Sequence, residues 1–254
     1  MILLHRLTPF VIALITGLGF ALLMLDPLAF KLPAAVCFLV VPLLFGRLLL
    51  WEFRRPAFWV FLGTPGLLLL SALMFFLIIE SRLGGWSLTV GVTLALAFYA
   101  ENLFAFYHLP SSYQAYSLEF LSLMCYIASA FLFTGSAYMA QVFLELPIWV
   151  SASATFVIVW LATMAVFWVS KTGFETGILF ALAGAILMTE VYVALSLLPT
   201  SFVTHAAAFT VFWYLYLGIS RAHVLEKLTP QVVRHYAVIG CMLLVLIFGT
   251  AAWT

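Results

Sequence analysis

Residues 101–112 read ENLFAFYHLPSS, and a similar pattern returns at residues 190–201 as EVYVALSLLPTS. Each copy places a glutamate in an apolar segment and a proline in the break that follows it: Glu101 with Pro110, and Glu190 with Pro199. A constant offset of 89 residues relates the two copies. Because proline lacks an amide donor and clashes with the preceding turn, each copy predicts a helix that carries a carboxylate and ends at a tight turn.

The composition excludes an ordinary soluble domain. Of the 254 residues, 67% are hydrophobic and 7% are charged, and the mean hydropathy is +1.24. Soluble domains carry about 25% charged residues. A helix of about 20 apolar residues crosses the hydrocarbon of a bilayer, where only helices and closed barrels satisfy their backbone hydrogen bonds. We therefore predict an all-α fold, a polytopic transmembrane helical bundle that forms a single integral membrane domain over residues 1–254.

Polar and proline-containing breaks divide the chain into nine predicted spanning helices. These cover residues 7–25, 33–51, 57–80, 85–107, 113–141, 147–170, 174–197, 200–219 and 232–252. Asp26-Pro27 separates the first two, and a capping box from Thr172 to Glu175 is predicted to open the seventh. Structural turns are predicted at Pro110, Pro147, Pro199 and Pro230.

The positions of the basic residues predict an orientation. With a cytoplasmic N-terminus, eight of the ten Lys and Arg residues lie on the cytoplasmic side, and only Lys31 and Arg82 lie opposite. Such an excess is typical of cytoplasmic loops. We therefore expect a cytoplasmic N-terminus and an external C-terminus, in an inner or plasma membrane.

The repeated pattern favours three inverted repeat units of three helices each, residues 1–80, 81–170 and 171–254. A glycine near a predicted helix end precedes a proline by twelve residues in two places, Gly135 to Pro147 and Gly218 to Pro230. Because three is an odd number, successive units would enter the membrane in opposite orientations. Inverted repeats of this kind are common among secondary transporters.

Ionisable groups within spans are candidates for function because each costs about 2.5–3.5 kcal/mol to insert. Across the Pro199 turn, Glu190 and His205 could pair and handle a proton, or form a hydrogen bond that ties two helices together. Glu101 and Glu119 stand at equal distances from Pro110, with Asn102 nearby, and could share a proton or cation. Alternatively, Glu119 lies in the first turn of the fifth helix, at the water interface.

Two further stretches carry structural expectations. Gly63-Thr64-Pro65-Gly66 predicts a break in the third helix, and broken helices in membranes often expose backbone groups to a ligand. The alternatives are a simple kink or close helix packing. The connection from Arg221 to Arg234 could form an amphipathic segment on an anionic leaflet, or supply ordinary cytoplasmic positive charge.

Three classes of function remain open. The sequence predicts no catalytic motif and no metal site, because it has no HExxH and its three cysteines are far apart. It names no cofactor, and a net charge of +1 predicts no nucleic-acid partner. The predicted partners are the lipid bilayer and membrane proteins, including other copies of this chain.

A small transporter or ion-coupled carrier is favoured over the other two classes. It requires Glu101 and Glu190 to line a polar cavity. A non-catalytic membrane subunit or scaffold of a larger complex would bury them against other side chains or place them at the interface. An intramembrane lipid-modifying enzyme requires Glu190 and His205 within hydrogen-bond reach, beside a lateral opening.

Overall fold

A computed structural model describes residues 2–25, 31–111, 113–114, 116–171 and 174–253. These residues form nine α-helices: α1 (Ile2–Leu25), α2 (Lys31–Leu48), α3 (Pro56–Phe76), α4 (Arg82–His108), α5 (Ser117–Phe143), α6 (Ile148–Val169), α7 (Phe174–Ser196), α8 (Phe202–Val224) and α9 (Pro230–Thr250). Each is long and apolar enough to cross a membrane. The chain is therefore a multi-pass integral membrane protein, as the composition predicted.

The ends of the helices follow from local sequence. Observed and predicted ends differ by at most five residues. Ser81, Ser201 and Thr229 each accept a hydrogen bond from a backbone amide three residues later, and so cap α4, α8 and α9. The predicted break at Asp26-Pro27, Thr172 of the predicted capping box, and Ser112 of the repeated pattern lie outside the described residues.

The four predicted proline turns lie at helix boundaries. Pro110 lies in the turn after α4, and Pro199 lies between α7 and α8. Pro147 immediately precedes α6, and Pro230 is the first residue of α9, where its missing amide costs no helical hydrogen bond. Several turns also contain non-glycine residues with positive φ, including Glu145 after α5 and Glu226 after α8.

The predicted break in α3 is wrong, because the helix continues through Pro65. Pro65 has no amide to donate to the Phe61 carbonyl, but the Tyr99 hydroxyl of α4 donates to that carbonyl at 3.3 Å. Thr64, fully buried, bonds the Val60 carbonyl at 3.0 Å and lies 3.0 Å from the Tyr126 hydroxyl of α5. Packing against α4 and α5 therefore keeps the segment helical. Gly63 and Gly66 do not make close helix contacts either, because an added Cβ at each would meet open space.

The helices group into two compact units, Met1–Ser129 and Ala130–Thr254. In the first unit α1 packs on α4 and α2, and α3 packs on α2 and α4. In the second unit α6 packs on α7, α7 on α8, and α8 on α9. The chain passes from one unit to the other within α5. This division neither tests nor supports the three predicted repeat units, which stay a prediction.

Burial differs widely among the helices. The share of the apolar span that is buried within the protein reaches 61% in α5 and falls to 6% in α9. Close packing in the second unit depends on small residues: Gly184 of α7 lies against the Tyr216 ring, and Gly218 of α8 lies against the Tyr236 ring of α9. A side chain at either glycine would overlap the ring.

The connection from Arg221 to Arg234 is not one amphipathic segment. Its first four residues complete α8, a turn follows at Leu225 and Glu226, and α9 begins at Pro230. Arg221 and Arg234 therefore belong to two different helices.

Candidate functional site

Glu101 lies on an exposed face of α4. The exposed residues Val90, Leu94 and Glu101 and the half-buried Ala97 recur at intervals of four, three and four residues. Residues so spaced lie on one face of an α-helix. We call these four residues the α4 stripe. The Glu101 carboxylate therefore lies on the outer surface of the protein.

Glu190 has the same setting on α7. The exposed residues Leu179, Ala183, Ile186 and Glu190 again recur at intervals of four, three and four, and we call them the α7 stripe. Each of them follows its counterpart in the α4 stripe by 89 residues, the offset of the repeated pattern. The similarity between the two copies therefore extends to which face of the helix is exposed.

A shallow groove of about 540 Å³ runs beside Glu190 and opens to the surface. Phe156 of α6 forms one wall, and Leu197 lies in the turn after α7. The rest is lined by the α7 residues Ile186, Thr189, Glu190, Val193 and Ala194. The Thr189 hydroxyl is engaged elsewhere, since it donates to the Ala185 carbonyl at 2.7 Å. Among the described residues, Glu101 and Glu190 have neither a hydrogen bond nor an ion pair. Both carboxylates are open to a partner from outside.

Asn102 and Glu119 have structural surroundings. The Asn102 side-chain amide donates to the Phe98 carbonyl at 2.9 Å, and its oxygen accepts from the Ser117 hydroxyl at the start of α5. Glu119 lies in the first turn of α5, where the helix N-terminus stabilises a carboxylate. This is the position that the alternative interpretation gave it. Asn102 connects α4 to α5.

His205 is buried in the first turns of α8, with 7% of its surface exposed. Its Nε2 lies 3.2 Å from the Leu198 carbonyl in the preceding turn, and its ring meets the edge of Tyr138 with centroids 5.0 Å apart. No hydrogen bond joins His205 to Glu190 in the part of the chain that the structure describes. Each of the two residues has its own separate environment.

A buried polar network that the sequence did not predict joins α5 to α7. The rings of Tyr138 and Tyr192 stack at 4.3 Å, and the Tyr138 hydroxyl donates to the Tyr192 carbonyl at 2.9 Å. The Gln141 amide donates to the Tyr192 hydroxyl at 2.8 Å. Two features of the sequence could have indicated this network. Tyr192 lies within the second copy of the repeated pattern, and Tyr138 and Gln141 are three residues apart on an apolar helix. These neutral, hydrogen-bonded groups tie helices together.

Within the described ranges, no three His, Cys, Asp or Glu side chains are grouped so that they could hold a metal ion. No family model, no curated protein and no solved structure matches this chain. The two exposed stripes, each with one unpaired carboxylate, are therefore the features from which a function has to be argued.

Proposed function

We propose that this chain is a non-catalytic subunit of a membrane assembly, and that transmembrane helices of partner proteins pack on the α4 and α7 stripes. The observation that carries the proposal is the position of Glu190. It is exposed on a spanning helix, six residues before the helix ends, without a partner in the described residues.

The cost of exposing two carboxylates to lipid favours partner helices on the stripes. An ionisable side chain facing hydrocarbon costs about 2.5–3.5 kcal/mol on insertion scales. Two such groups together cost roughly half of the 5–15 kcal/mol by which a typical protein is stable. A partner helix that supplies a hydrogen-bond donor or a cation at the same depth would offset this cost. A permanently lipid-exposed carboxylate would keep it.

The spacing of the stripe residues also favours a partner helix. Intervals of four and three residues are those at which one helix packs knobs-into-holes against another, and a single polar residue in such a seam fixes its register. Small-molecule pockets, by contrast, are concave and bury most of the ligand. The groove beside Glu190 is shallow, and five of its seven lining residues come from α7. It fits a helix better than a compact ligand.

The other two classes of function receive less support from this geometry. A carrier requires Glu101 and Glu190 to line a polar cavity, whereas both lie on exposed stripes with apolar neighbours. Lipid chemistry requires Glu190 and His205 to act together, and His205 instead bonds the Leu198 carbonyl. The subunit class allows the carboxylates to be buried against other side chains or to lie at the interface, and a partner on each stripe would bury them.

The proposal is tested by scanning α7 with a photo-cross-linking amino acid in native membranes. We expect protein adducts at Leu179 and Ile186, on the stripe. The matched controls are Leu182 and Leu187, which are also exposed but lie off the stripe, and there we expect lipid adducts alone. Protein adducts that follow the helical period would support a specific interface. Lipid adducts at all four positions would overturn the proposal.

A second measurement separates the subunit from a carrier. The purified chain in proteoliposomes should show no proton or ion flux above that of empty vesicles, for the wild type and for Glu190→Gln alike. A flux that requires Glu190 in the isolated chain would favour the carrier.

A further inference from the structure

We propose that one partner of this chain is a second copy of itself, whose α9 packs on the α4 stripe and brings Arg234 to Glu101. The inference rests on the proposed function and names the occupant of one stripe. It comes from three observations: the free surface of α9, the opposite charges that α4 and α9 carry, and the similar depth of those charges.

The free surface of α9 is unusually large. Only 6% of its span is buried, and its contacts with α8 include Tyr236 on Gly218 and Leu215 on Gly240. On its exposed side Arg234, Val238, Cys241 and Val245 recur at intervals of four, three and four residues. We call these residues the α9 stripe. Its spacing equals that of the α4 stripe.

The charges of the two stripes are complementary. Each stripe has one ionisable charge at one end and small or apolar residues along the rest, with Glu101 on α4 and Arg234 on α9. Both charged side chains are exposed, and neither has a hydrogen bond or ion pair among the described residues. An arginine can hold a carboxylate through two parallel hydrogen bonds. The Arg234 guanidinium of the α9 stripe can therefore pair with the Glu101 carboxylate of the α4 stripe.

The two charges lie at about the same depth in the membrane, although at different distances from the ends of their helices. At a rise of about 1.5 Å per residue, Glu101 lies about 10.5 Å before the end of α4, and Arg234 about 6 Å after the start of α9. Centred on a hydrocarbon layer about 30 Å thick, α4 extends about 5 Å beyond each surface and α9 about 1 Å. Both charges therefore lie about 5 Å inside the hydrocarbon.

The chain order places the two charges near the same membrane surface. Four helices, α5 to α8, separate the end of α4 from the start of α9, and each is long and apolar enough to cross the membrane. An even number of crossings returns the chain to the same surface, so α4 and α9 run in opposite directions. In two copies inserted alike, α9 of one copy meets α4 of the other antiparallel.

Antiparallel packing brings the rest of the stripes into register. Eleven residues separate Glu101 from Val90, and eleven separate Arg234 from Val245. With the charges paired at one end, Val90 meets Val245 at the other, and Leu94 meets Cys241 between them. The register predicted by the charges is thus also one in which apolar or small residues face each other.

Thiol cross-linking tests this register directly. Cys241 is exposed, whereas Cys37 and Cys125 are buried. We expect Leu94→Cys to give a cross-linked dimer with a short bifunctional thiol reagent in membranes, and Leu94→Cys with Cys241→Ser to give none beyond background. Leu182→Cys, at an exposed position on α7, is the matched control and should not cross-link to Cys241.

Charge reversal tests the ion pair. In the Leu94→Cys background, Glu101→Arg alone and Arg234→Glu alone should each lower the dimer yield at least about tenfold, because like charges then meet within the membrane. The double reversal should restore most of the yield, which also shows that neither change prevents folding. Arg6→Glu, an exposed arginine four residues inside α1, should leave the yield unchanged.

The result that overturns the inference is an absence of the Leu94–Cys241 cross-link, or a double reversal no better than the single ones. The proposed function can survive that result. If photo-cross-linking still gives protein adducts along the α7 stripe, the chain has partners but its own α9 is not the helix on α4. If those adducts are also absent, the proposed function fails as well.

Discussion

The Tyr99 hydroxyl donates a hydrogen bond to the Phe61 carbonyl, the acceptor that Pro65 leaves without its helical amide. Tyr99 is fully buried. Its side chain therefore replaces a backbone hydrogen bond that proline removes from α3. This relationship explains how a proline is accommodated in the interior of a spanning helix.

Removing the Tyr99 hydroxyl should destabilise the protein. Tyr99→Phe removes the hydrogen bond to the Phe61 carbonyl and should cost about 0.5–1.5 kcal/mol, the range for a typical intramolecular hydrogen bond. In a Pro65→Ala background the backbone amide introduced at position 65 can donate to the Phe61 carbonyl. Tyr99→Phe should therefore cost less in that background than in the wild type. The free energy of unfolding of the four proteins in mild detergent measures the difference. Equal costs in both backgrounds would show that the two donors are not interchangeable.

The stacked pair Tyr138 and Tyr192 gives a graded prediction. Tyr138→Phe removes the hydrogen bond to the Tyr192 carbonyl but keeps the stacked ring, and should cost about 0.5–1.5 kcal/mol. Tyr138→Leu also loses the stacking, which adds about 0.5–1.5 kcal/mol. Unfolding measurements should rank the variants in that order. Tyr116→Phe, at an exposed tyrosine outside the helices, is the control and should be nearly neutral.

Two glycines of the second unit should not tolerate a methyl group. Gly184→Ala would press on the Tyr216 ring, and Gly218→Ala on the Tyr236 ring. Overpacking of this kind costs about 1–3 kcal/mol. Gly91 of α4 is the matched control, because an added Cβ there meets open space, and Gly91→Ala should be neutral or slightly stabilising. Thermal denaturation in detergent compares the three. A destabilised Gly91→Ala with an unaffected Gly184→Ala would contradict the packing described here.

The turn between α8 and α9 offers a stabilising substitution. Glu226 has a φ of 55°, a left-handed conformation that costs a residue with a Cβ about 1–2 kcal/mol more than glycine. Glu226→Gly should therefore raise the stability by up to about 1 kcal/mol, after the added flexibility of the unfolded chain is subtracted. Lys227→Gly, one residue later and without positive φ, should lower it. Thermal shifts of opposite sign are the expected result.

Much of the fold could be predicted from the sequence, because hydropathy and proline act locally. Apolar runs of spanning length identify each helix, and Pro110, Pro147, Pro199 and Pro230 lie at boundaries because proline disrupts a helix interior. Pro9, Pro42 and Pro65 instead lie inside α1, α2 and α3. Of these, Pro65 was predicted to break its helix. Its accommodation depends on Tyr99, which is 34 residues away in the sequence and belongs to another helix.

The setting of the candidate residues was harder to predict, for a reason specific to membranes. In water an apolar face turns inward, so periodicity shows which side of a helix is buried. In lipid both faces are apolar, because there is no hydrophobic difference between the core and the surroundings. The sequence could therefore place Glu101 and Glu190 within spanning helices, but it did not show that both face outward. The contact between Tyr138 and Tyr192 likewise depends on which faces of α5 and α7 meet.

The shallow burial of α9 has a consequence for biogenesis. α9 leaves the ribosome after the eight other described helices, and few protein contacts await it in the bilayer. Its partition from the translocon into lipid must then be driven by its own apolar side chains, at about 0.3–0.6 kcal/mol for each Leu, Ile, Phe or Val. Docking of Tyr236 on Gly218 can follow only once α9 is inserted, so polar substitutions on its outer face should impair membrane integration before they affect packing.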